Sequence, residues 1–467
     1  MRWTVRLETM TDQGATETTE LATISRPAAM DVTLEDVGLT LVETKALLAR
    51  LQASMVRSQG AEYVAGHRIC PECGVPRPLK DRRTRRIQTL LGAVVVAAPR
   101  VRMCRCRRLT APMAEVAFSP VCALLSARRR TPELERVQAE LGARTAFREA
   151  ARIREALLPV SRVNHESVRT RTHAVAVRLE AADRQSAAAA AQEQPDKATA
   201  ADASAPAIVM LDGAHVRAVP GHQTRRFEVV CGKVEREGHC PRRFALVRGV
   251  AKHPHALLRA ALLEQGWREG EAVTAISDGD PALPALVRAA TKAPVRHILD
   301  WFHLSMRVRR VEQALLGLCA LEPAHRGPLD RAQEQVERLR HLLWHGRHED
   351  ASAALGRIVG CAEDTVLANG SAAAKARTLV THCTERHTYI EANTGALIDY
   401  GERYRAGEPI STSRAESTVN HLVNARMNKR KQMRWTPLGA HHVLQVRAAV
   451  LDGRFGLGQH ADQLAAA

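Results

Sequence analysis

Five apolar runs of strand length, clustered between residues 207 and 299, limit the possible folds of this chain more than any other feature. In chain order they cover residues 207–211, 227–230, 244–250, 272–276 and 295–299. The first and last are apolar enough to be central strands, which are buried on both faces. Between the third and fourth runs, residues 254–266 have apolar side chains at helical spacing and end at a glycine. This order of three strands, a helix and two further strands predicts an α/β domain.

The chain of 467 residues is too long for one compact core, so we expect several domains. Residues 1–35 are polar and irregular, and apolar spacing predicts a helix over 37–56. Residues 185–205 are rich in Ala, Gln, Asp and Ser, which indicates a linker or a frayed helix end. Changes in composition predict seven segments: an irregular and helical segment at 1–66, a cysteine- and arginine-rich segment at 67–125, a helical domain at 126–184, the linker at 185–206, the first part of the α/β core at 207–306, an all-helical insertion at 307–408, and a C-terminal helix with its tail at 409–467.

The charge of the chain indicates an anionic partner. Lys and Arg number 68 against 50 Asp and Glu, which gives a formal net charge of +18. An excess of this size favours binding to nucleic acid, but it carries affinity and no sequence preference. No membrane-spanning length is free of charge, and the N-terminus lacks the apolar region of a signal peptide. We therefore expect a cytoplasmic protein without a membrane partner.

Three acidic residues stand at positions where a metal site can form. Asp212 follows the first apolar run, Asp278 follows the fourth, and Glu416 lies in a polar helix far downstream. Mg²⁺ and Mn²⁺ prefer carboxylate ligands, and two such ions about 4 Å apart accelerate reactions at phosphorus. Any one Asp-Gly pair after a strand is more often a simple turn. The combination of the three predicts a two-metal site for phosphodiester chemistry.

Asp300 competes with Asp278 for the second position, because it follows the fifth apolar run. We favour Asp278, since it ends a strand beside Asp212, whereas Asp300 begins a helix and can serve as its N-cap. Asp300 and His303 are then either a cap with a packed neighbour or groups that support the metal ligands from behind. Asp280 is a third competitor, and a solvated turn residue is the simpler interpretation for it.

Four cysteines form two closely spaced pairs, Cys70 with Cys73 and Cys104 with Cys106. Four thiolates in two such pairs suit tetrahedral Zn²⁺ in a zinc-ribbon-like segment, and the remaining cysteines are scattered, which fits a reducing compartment better than a disulfide framework. Arginines crowd the connection between the pairs, and we expect the resulting hairpin to contact DNA. The candidates there are Arg82, Arg83, Arg85 and Arg86.

Two helical stretches, 144–158 and 164–179, are joined by a Pro-Val-Ser connection. They are typical of a helix-turn-helix DNA-binding unit, with Arg169 and Arg171 exposed on the second helix. A helical hairpin that only packs is the alternative. Near the C-terminus, Glu416 is followed by a basic, polar helix with an aromatic residue beyond it at Trp435, a pattern that favours phosphate binding. The DNA-binding candidates in that helix are Arg426, Lys429, Arg430 and Lys431.

Four blocks of sequence resemble bacterial insertion-sequence transposases of the DDE type. They are IVMLDG at 208–213, GHQTRRFEV at 221–229, ILDWFH at 298–303 and the tail at 416–435. The chain is most similar to the ISKra-type branch, which is related to the Mutator superfamily. The resemblance covers most of the chain, is strongest from 207 to 437 and includes the cysteine segment. Related families carry a [Cys/Asp]-x-x-His signature after the fifth strand, which Asp300 and His303 match.

The resemblance implies a ribonuclease H-like catalytic domain interrupted by a helical insertion, with Asp212, Asp278 and Glu416 as the metal-binding triad. It implies a transposase that binds and cleaves the ends of an insertion sequence and joins them to target DNA, acting on double-stranded DNA as a homo-oligomer at the bacterial nucleoid. A structure-selective nuclease on the same fold, such as a Holliday-junction resolvase, is one alternative. A domesticated, catalytically inactive DNA-binding protein is the other, and the three intact carboxylates argue against it.

Overall fold

In the computed structural model of the chain, the described residues are 1–11, 14–104, 106, 117–125, 129–160, 162–190, 192, 206–321, 326–367, 371–427 and 433–456. The chain divides into two compact units. The first comprises Met1–Val175 together with the C-terminal end of the chain from Phe455, and the second comprises Ala176–Arg454. Both contain helices and strands, so the mixed α/β class is confirmed. None of the helices in the described ranges is long and apolar enough to cross a bilayer.

The first unit begins with a β-hairpin, followed by a long helix and a set of short strands. Its strands are β1 (Arg2–Met10), β2 (Thr16–Ser25), β3 (Leu79–Asp81), β4 (Thr84–Thr89), β5 (Gly92–Ala97), β6 (Arg100–Arg102) and β7 (Ala117–Phe118). Its helices are α1 (Leu41–Arg68), α2 (Pro120–Leu125), α3 (Pro132–Arg144), α4 (Phe147–Leu157) and the first part of α5 (His165–Ala190). Helix α1 packs against β5 through apolar residues that surround Val94 and Val96.

The N-terminal hairpin corrects the prediction of an irregular segment at 1–35. Strands β1 and β2 pair in antiparallel register from Arg2 opposite Ser25 to Met10 opposite Thr16. Their β-branched and apolar residues alternate with charged ones, a pattern that favours strands even though little of the surface is buried. Helix α1 begins after the N-cap Thr40 and continues past the predicted end at 56 to Arg68.

The helical part of the first unit contains α4 and α5, which correspond to the two predicted helical stretches, and α3 before them within the predicted helical domain. The turn between α3 and α4 falls at Thr145, the C-cap of α3, within the predicted first stretch. Ala150, Ala151 and Val168 form a small buried core between α4 and α5. Helix α5 continues to Ala190, so the first residues of the predicted linker at 185–206 form a helix end, which is one of the two interpretations given for it. Residues 193–205 lie outside the described part of the chain.

A five-stranded sheet forms the centre of the second unit. Its strands are β8 (Ile208–Arg217), β9 (Arg226–Glu235), β10 (Arg242–Val247), β11 (Val273–Ser277) and β12 (Val295–Leu299), in the spatial order β10-β9-β8-β11-β12. The first three are antiparallel neighbours, whereas β11 runs parallel to both β8 and β12. All five predicted strands are therefore present. Helix α6 (Pro254–Glu264) lies between the third and fourth strands of the sequence, where it was expected.

Alternate residues of the central strands enter two separate hydrophobic cores. Val209, Leu211 and Ala275 belong to a core with α6 and α7 (Ala282–Thr291) on one face. Met210 and Ile276 belong to a core on the other face. This second core also contains α8 (Trp301–Cys319), α9 (Arg326–Trp344), α10 (His348–Leu367), α11 (Ser371–Ala392) and α12 (Tyr400–Arg405). Burial on both faces explains the continuous apolar run at 207–211 in β8, whereas β12, which was also predicted to be central, is the edge strand of this sheet.

The C-terminal part of the second unit consists of α13 (Ser413–Val419), a π-helical turn over Asn420–Asn424, α14 (Ala425–Met427) and α15 (Pro437–Leu451). Helix α13 packs against β8 and β9, and α15 packs against the edge strand β10. The Arg447 side chain of α15 donates a hydrogen bond of 2.8 Å to the Leu422 carbonyl oxygen of the π turn. Such turns leave carbonyl groups out of the regular ladder, and this arginine satisfies one of them.

Candidate functional site

Three aspartates occupy one row across the sheet. Ile276 of β11 is in register with Met210 of β8 and with Ile298 of β12. Asp212, Asp278 and Asp300 each come two residues later, so they share the next row on the same face, which is the face of the helical insertion. Neighbouring strands lie about 4.8 Å apart, so adjacent members of the row are close neighbours. The predicted proximity of Asp212 and Asp278 follows from this register.

Asp212 lies inside β8 and not at its end, because β8 continues beside β9 to Arg217. The Asp-Gly pair is therefore no turn. The Asp212 side chain is buried and accepts a hydrogen bond of 2.7 Å from the backbone N–H of Gly213. Burial raises the pKa of this carboxyl to about 6, and the charges of Asp278 and Asp300 act in the same direction, whereas His303 opposes them. Two neighbouring carboxylates and a buried acid form an anionic site that favours a cation.

Asp300 is fully buried and caps helix α8. Its carboxylate accepts hydrogen bonds from the Phe302 backbone N–H and from His303 Nδ1, both at 2.7 Å. The hydrogen bond to Asp300 raises the pKa of His303, and Asp212 and Asp278 add to the effect. The Thr412 hydroxyl donates a further hydrogen bond to Asp300. With so many partners inside the protein, Asp300 acts as an N-cap and as a link to the segment before α13.

Asp278 is only half-buried, and the helical insertion borders it. The ring of Tyr389 from α11 lies against Gly279, where an added Cβ would stand 2.5 Å from Tyr389 Cε2. Arg307 of α8 stacks over the same ring at 4.0 Å from its centroid. Asp280, the third competitor, points to Arg248 with an ion-pair distance of 2.7 Å. That ion pair supports the interpretation of Asp280 as a turn residue.

Glu416 lies on helix α13, which packs against β8 and β9. Its side chain is outside the described residues, so the third carboxylate has no measured distance to the row. Among the described side chains, Asp212, Asp278 and Asp300 do not form a group of three metal-ligand atoms within 4.8 Å of one another. The donor set is nevertheless of the hard, carboxylate kind that Mg²⁺ and Mn²⁺ prefer.

The four cysteines predicted to bind zinc lie close together. Their sulfur atoms all lie within 4.8 Å of one another, with Cys73 Sγ 3.2 Å from Cys104 Sγ and Cys70 Sγ 3.6 Å from Cys106 Sγ. A tetrahedral Zn²⁺ with bonds of about 2.3 Å would set these separations to about 3.8 Å. The backbone N–H groups of Cys73 and Glu72 lower the pKa of the Cys70 thiol to about 6. This group can hold a structural zinc ion.

The tight turn in the first cysteine pair depends on a glycine. Gly74 has φ +68°, and its backbone N–H donates a hydrogen bond of 2.9 Å to the Cys70 carbonyl oxygen. Only glycine adopts this conformation without strain. The turn directs the Cys70 and Cys73 thiols toward one point, which a zinc site requires.

The predicted DNA-binding arginines have different environments. Arg82, Arg83 and Arg86 are exposed on the hairpin of the first unit. Arg85 is half-buried and donates to Cys122 Sγ at 3.1 Å, which corrects its assignment as a DNA contact. On α5, Arg169 is exposed and pairs with Glu166 at 2.7 Å.

Arg171 was expected to be exposed on the same helix, but its side chain is only 23% exposed and lies 3.9 Å from Glu135. The reason is its place one turn from the buried Val168, on the side that faces α3. Arg171 is therefore better placed for packing than for DNA. The predicted helix-turn-helix surface is reduced to Arg169 and its exposed neighbours.

The structure also contradicts the prediction that Arg426 and Trp435 lie on an exposed phosphate-binding surface. Arg426 is fully buried and stacks over the Trp435 ring at 4.8 Å from its centroid. Burial lowers the pKa of Arg426 to about 10, with Arg447 as a second cause. Trp435 is 5% exposed, so it offers no face to a base. Lys429, Arg430 and Lys431 lie outside the described residues.

Three residues near the aspartate row were not found by sequence reasoning: Arg307, Tyr389 and Thr412. The first two come from the helical insertion, where nothing in the local pattern marks them. Thr412 stands in the Ser-Thr-Ser run before α13, a composition typical of a helix start, but its contact with Asp300 is long-range. No known family model matches the chain, and no curated protein is significantly similar to it.

Proposed function

We propose that this protein is a DDE-type DNA transposase with a ribonuclease H-like catalytic domain. The observation that carries the proposal is the single row of Asp212, Asp278 and Asp300 on the face of the sheet that the helical insertion covers. The strand order β10-β9-β8-β11-β12, with three antiparallel and two parallel members, supports the ribonuclease H-like assignment. The helical block between β12 and α13 supports the expected insertion.

In this proposal Asp212, Asp278 and Glu416 hold two Mg²⁺ or Mn²⁺ ions, and Asp300 does not. Asp300 already accepts from Phe302 and His303 and is fully buried, so it orients the helices around the site. Bound ions would activate the attacking oxygen and stabilise the leaving oxygen of a phosphodiester. The raised pKa of His303 favours its protonated form, which would reduce the repulsion among the three carboxylates.

The zinc-ribbon-like segment and the helices of the first unit would bind the ends of the element. Support comes from the cysteine group that can hold zinc and from the exposed arginines Arg82, Arg83, Arg86 and Arg169. The net charge of +18 favours double-stranded DNA as the partner, and transposases of this kind act as oligomers on paired ends. The protein would then be cytoplasmic and bound to the nucleoid.

The test is strand cleavage and joining on DNA that carries the element ends, with Mg²⁺ or Mn²⁺. Asp212→Asn, Asp278→Asn and Glu416→Gln should each abolish both reactions and leave DNA binding nearly intact, because each change removes a ligand charge and little volume. Asp300→Asn should retain measurable cleavage. If Asp300→Asn is inactive while Asp278→Asn is active, the second ligand is Asp300.

A structure-selective nuclease on the same fold is the second candidate, supported by the same aspartate row. It differs in having no preference for the element ends. Equal cleavage of end sequences, scrambled duplexes and branched junctions would favour the nuclease. Binding of the ends without cleavage at any metal concentration would favour an inactive DNA-binding protein.

A further inference from the structure

The end of the β8–β9 hairpin opens into a basic cleft of about 800 Å³. Four arginines line it together with His222, and among its described lining residues none is acidic. The arginines are Arg217, Arg225, Arg226 and Arg434. All four are exposed, and in the described part of the chain none of them forms an ion pair with a carboxylate.

Two of these arginines stand directly opposite each other. Arg217 of β8 and Arg226 of β9 are register partners, and like charges in such positions repel. The next pair on this face places His215 opposite Glu228, and the Glu228 carboxylate forms an ion pair with Arg248 at 3.2 Å. The uncompensated charge is therefore confined to the cleft. A bound anion would remove the repulsion.

The cleft has a fixed wall on its other side. The backbone N–H of Trp435 donates to the Arg217 carbonyl oxygen, and the Val219 N–H donates to the Trp435 carbonyl oxygen, both at 3.0 Å. Behind Trp435, the buried Arg426 stacks on the indole ring. These contacts hold Arg434 across from the hairpin without using its own side chain. Guanidinium groups on a rigid frame suit phosphate oxygens, which they contact in pairs.

We propose that this cleft binds consecutive backbone phosphates of the duplex DNA on which the aspartate row acts, an inference that rests on the proposed function. Arg217 lies five residues beyond Asp212 on β8, which corresponds to about 17 Å along the strand. A DNA strand advances about 3.4 Å per nucleotide. Asp212 and Arg217 lie on opposite faces of β8, so this spacing applies to a duplex that passes the end of the hairpin in the direction of the strand. For such a duplex the contacted phosphates are expected about five nucleotides from the cleaved bond.

The first experiment measures duplex affinity against salt for the full-length protein. A triple variant, Arg217→Ala, Arg226→Ala and Arg434→Ala, should reduce the slope of log K against log salt by about 2 to 3, because each lost phosphate contact removes about 0.9. The matched control is the triple variant Arg331→Ala, Arg338→Ala and Arg340→Ala on α9, which also removes three exposed arginines. It should leave the slope within about 1 of wild type. A triple variant with an unchanged slope and normal folding by circular dichroism overturns the proposal.

The second experiment locates the contact. Neutral methylphosphonates placed four to six nucleotides from the cut should weaken binding by the wild type about tenfold and should have little further effect on the triple variant, since both changes remove the same contact. Equal losses in the two proteins would overturn the cleft, even if DNA is cleaved. Salt-dependent binding without any cleavage would instead contradict the proposed function and leave the cleft standing. Single-stranded RNA that outcompetes duplex DNA would overturn DNA as the occupant.

Discussion

At the scale of single residues, the charge of Asp212 opposes folding at neutral pH. Burial raises its pKa from 3.8 to about 6. The free energy of unfolding therefore falls as the pH rises through this range, and the full reduction is reached above it. In metal-free buffer, Asp212→Asn should raise the free energy of unfolding at pH 7.5 by up to about 3 kcal/mol and should change little near pH 4. Denaturant titrations at the two pH values measure the difference.

Asp280 provides the matched control for this prediction. Its pKa is lowered, because the Ala282 backbone N–H and Arg248 outweigh the effect of desolvation. A lowered pKa stabilises the fold above pH 3.8, and this contribution is lost as the pH falls through the native pKa. Asp280→Asn should therefore destabilise the protein at pH 7.5, opposite in sign to Asp212→Asn. The same sign for both variants would contradict the assignment of Asp212 as a destabilising functional charge.

The aspartate row was accessible from the sequence, because three strands of a parallel arrangement each place a carboxylate after an apolar run. The burial of Arg426 was not, since a basic helix with an aromatic residue nearby describes both an exposed phosphate-binding surface and a stacked pair in the core. The sequence also gave no sign that Tyr389 and Arg307 reach the row. Their positions depend on how the helical insertion folds back onto the sheet.

At the scale of elements, helix α11 is seated against Gly279 through Tyr389. A methyl group at Gly279 would meet the tyrosine ring at 2.5 Å, so Gly279→Ala forces the helix or the loop after β11 to move. We expect a loss of stability of about 1 to 3 kcal/mol, which is typical of overpacking, and a larger relative loss of DNA cleavage than of DNA binding. Gly395→Ala, just after α11, meets open space and serves as the control. Equal activity of the two variants would show that α11 does not shape the site.

The cysteine group predicts a second element-scale result. The purified protein should contain about one equivalent of zinc, and the Cys73→Ser, Cys106→Ser pair should lose both the metal and the protease resistance of residues 67–104, because metal binding and folding are coupled in small ribbons. Elemental analysis gives the zinc content, and limited proteolysis reports the fold. Protein without bound metal that remains resistant would contradict a structural zinc site.

Helices and strands could be predicted from the sequence where the apolar residues follow a single period. The β12 strand matches its predicted bounds, since Val295, Ile298 and Leu299 form a short apolar segment that begins after Pro294 and ends before Asp300. The N-terminal hairpin was missed because its strands are exposed and rich in threonine and glutamate, which resembles a loop in composition. Helix α5 extends to Ala190, into the segment interpreted as a linker or a helix end, because alanine has the highest helix propensity.

At the scale of the whole molecule, the net charge of +18 would give the proposed transposase affinity for any DNA, so its specificity would have to come from a smaller set of contacts. The proposed transposase needs such contacts, whereas a structure-selective nuclease does not. Specific DNA-binding proteins prefer their sites over random duplex by roughly 10³ or more. The full-length protein should therefore bind the element ends at least this much more tightly than scrambled DNA.

Variants of two arginines in the first unit distinguish contacts that are specific for the element ends from contacts made with any duplex. Arg169 is exposed on α5, where its ion pair with Glu166 is on the surface and easily exchanged for a DNA contact. Arg169→Ala should weaken binding to element ends more than to scrambled duplex. Arg83 is 54% exposed beside Asp81 on the basic hairpin, and Arg83→Ala should weaken both about equally and reduce the salt dependence by about 1. Gel-shift titrations with both duplexes at two salt concentrations measure all four affinities. If neither variant alters the ratio between the duplexes, and wild type binds them equally, the aspartate row remains but the molecule is better described as a nuclease that selects DNA structure.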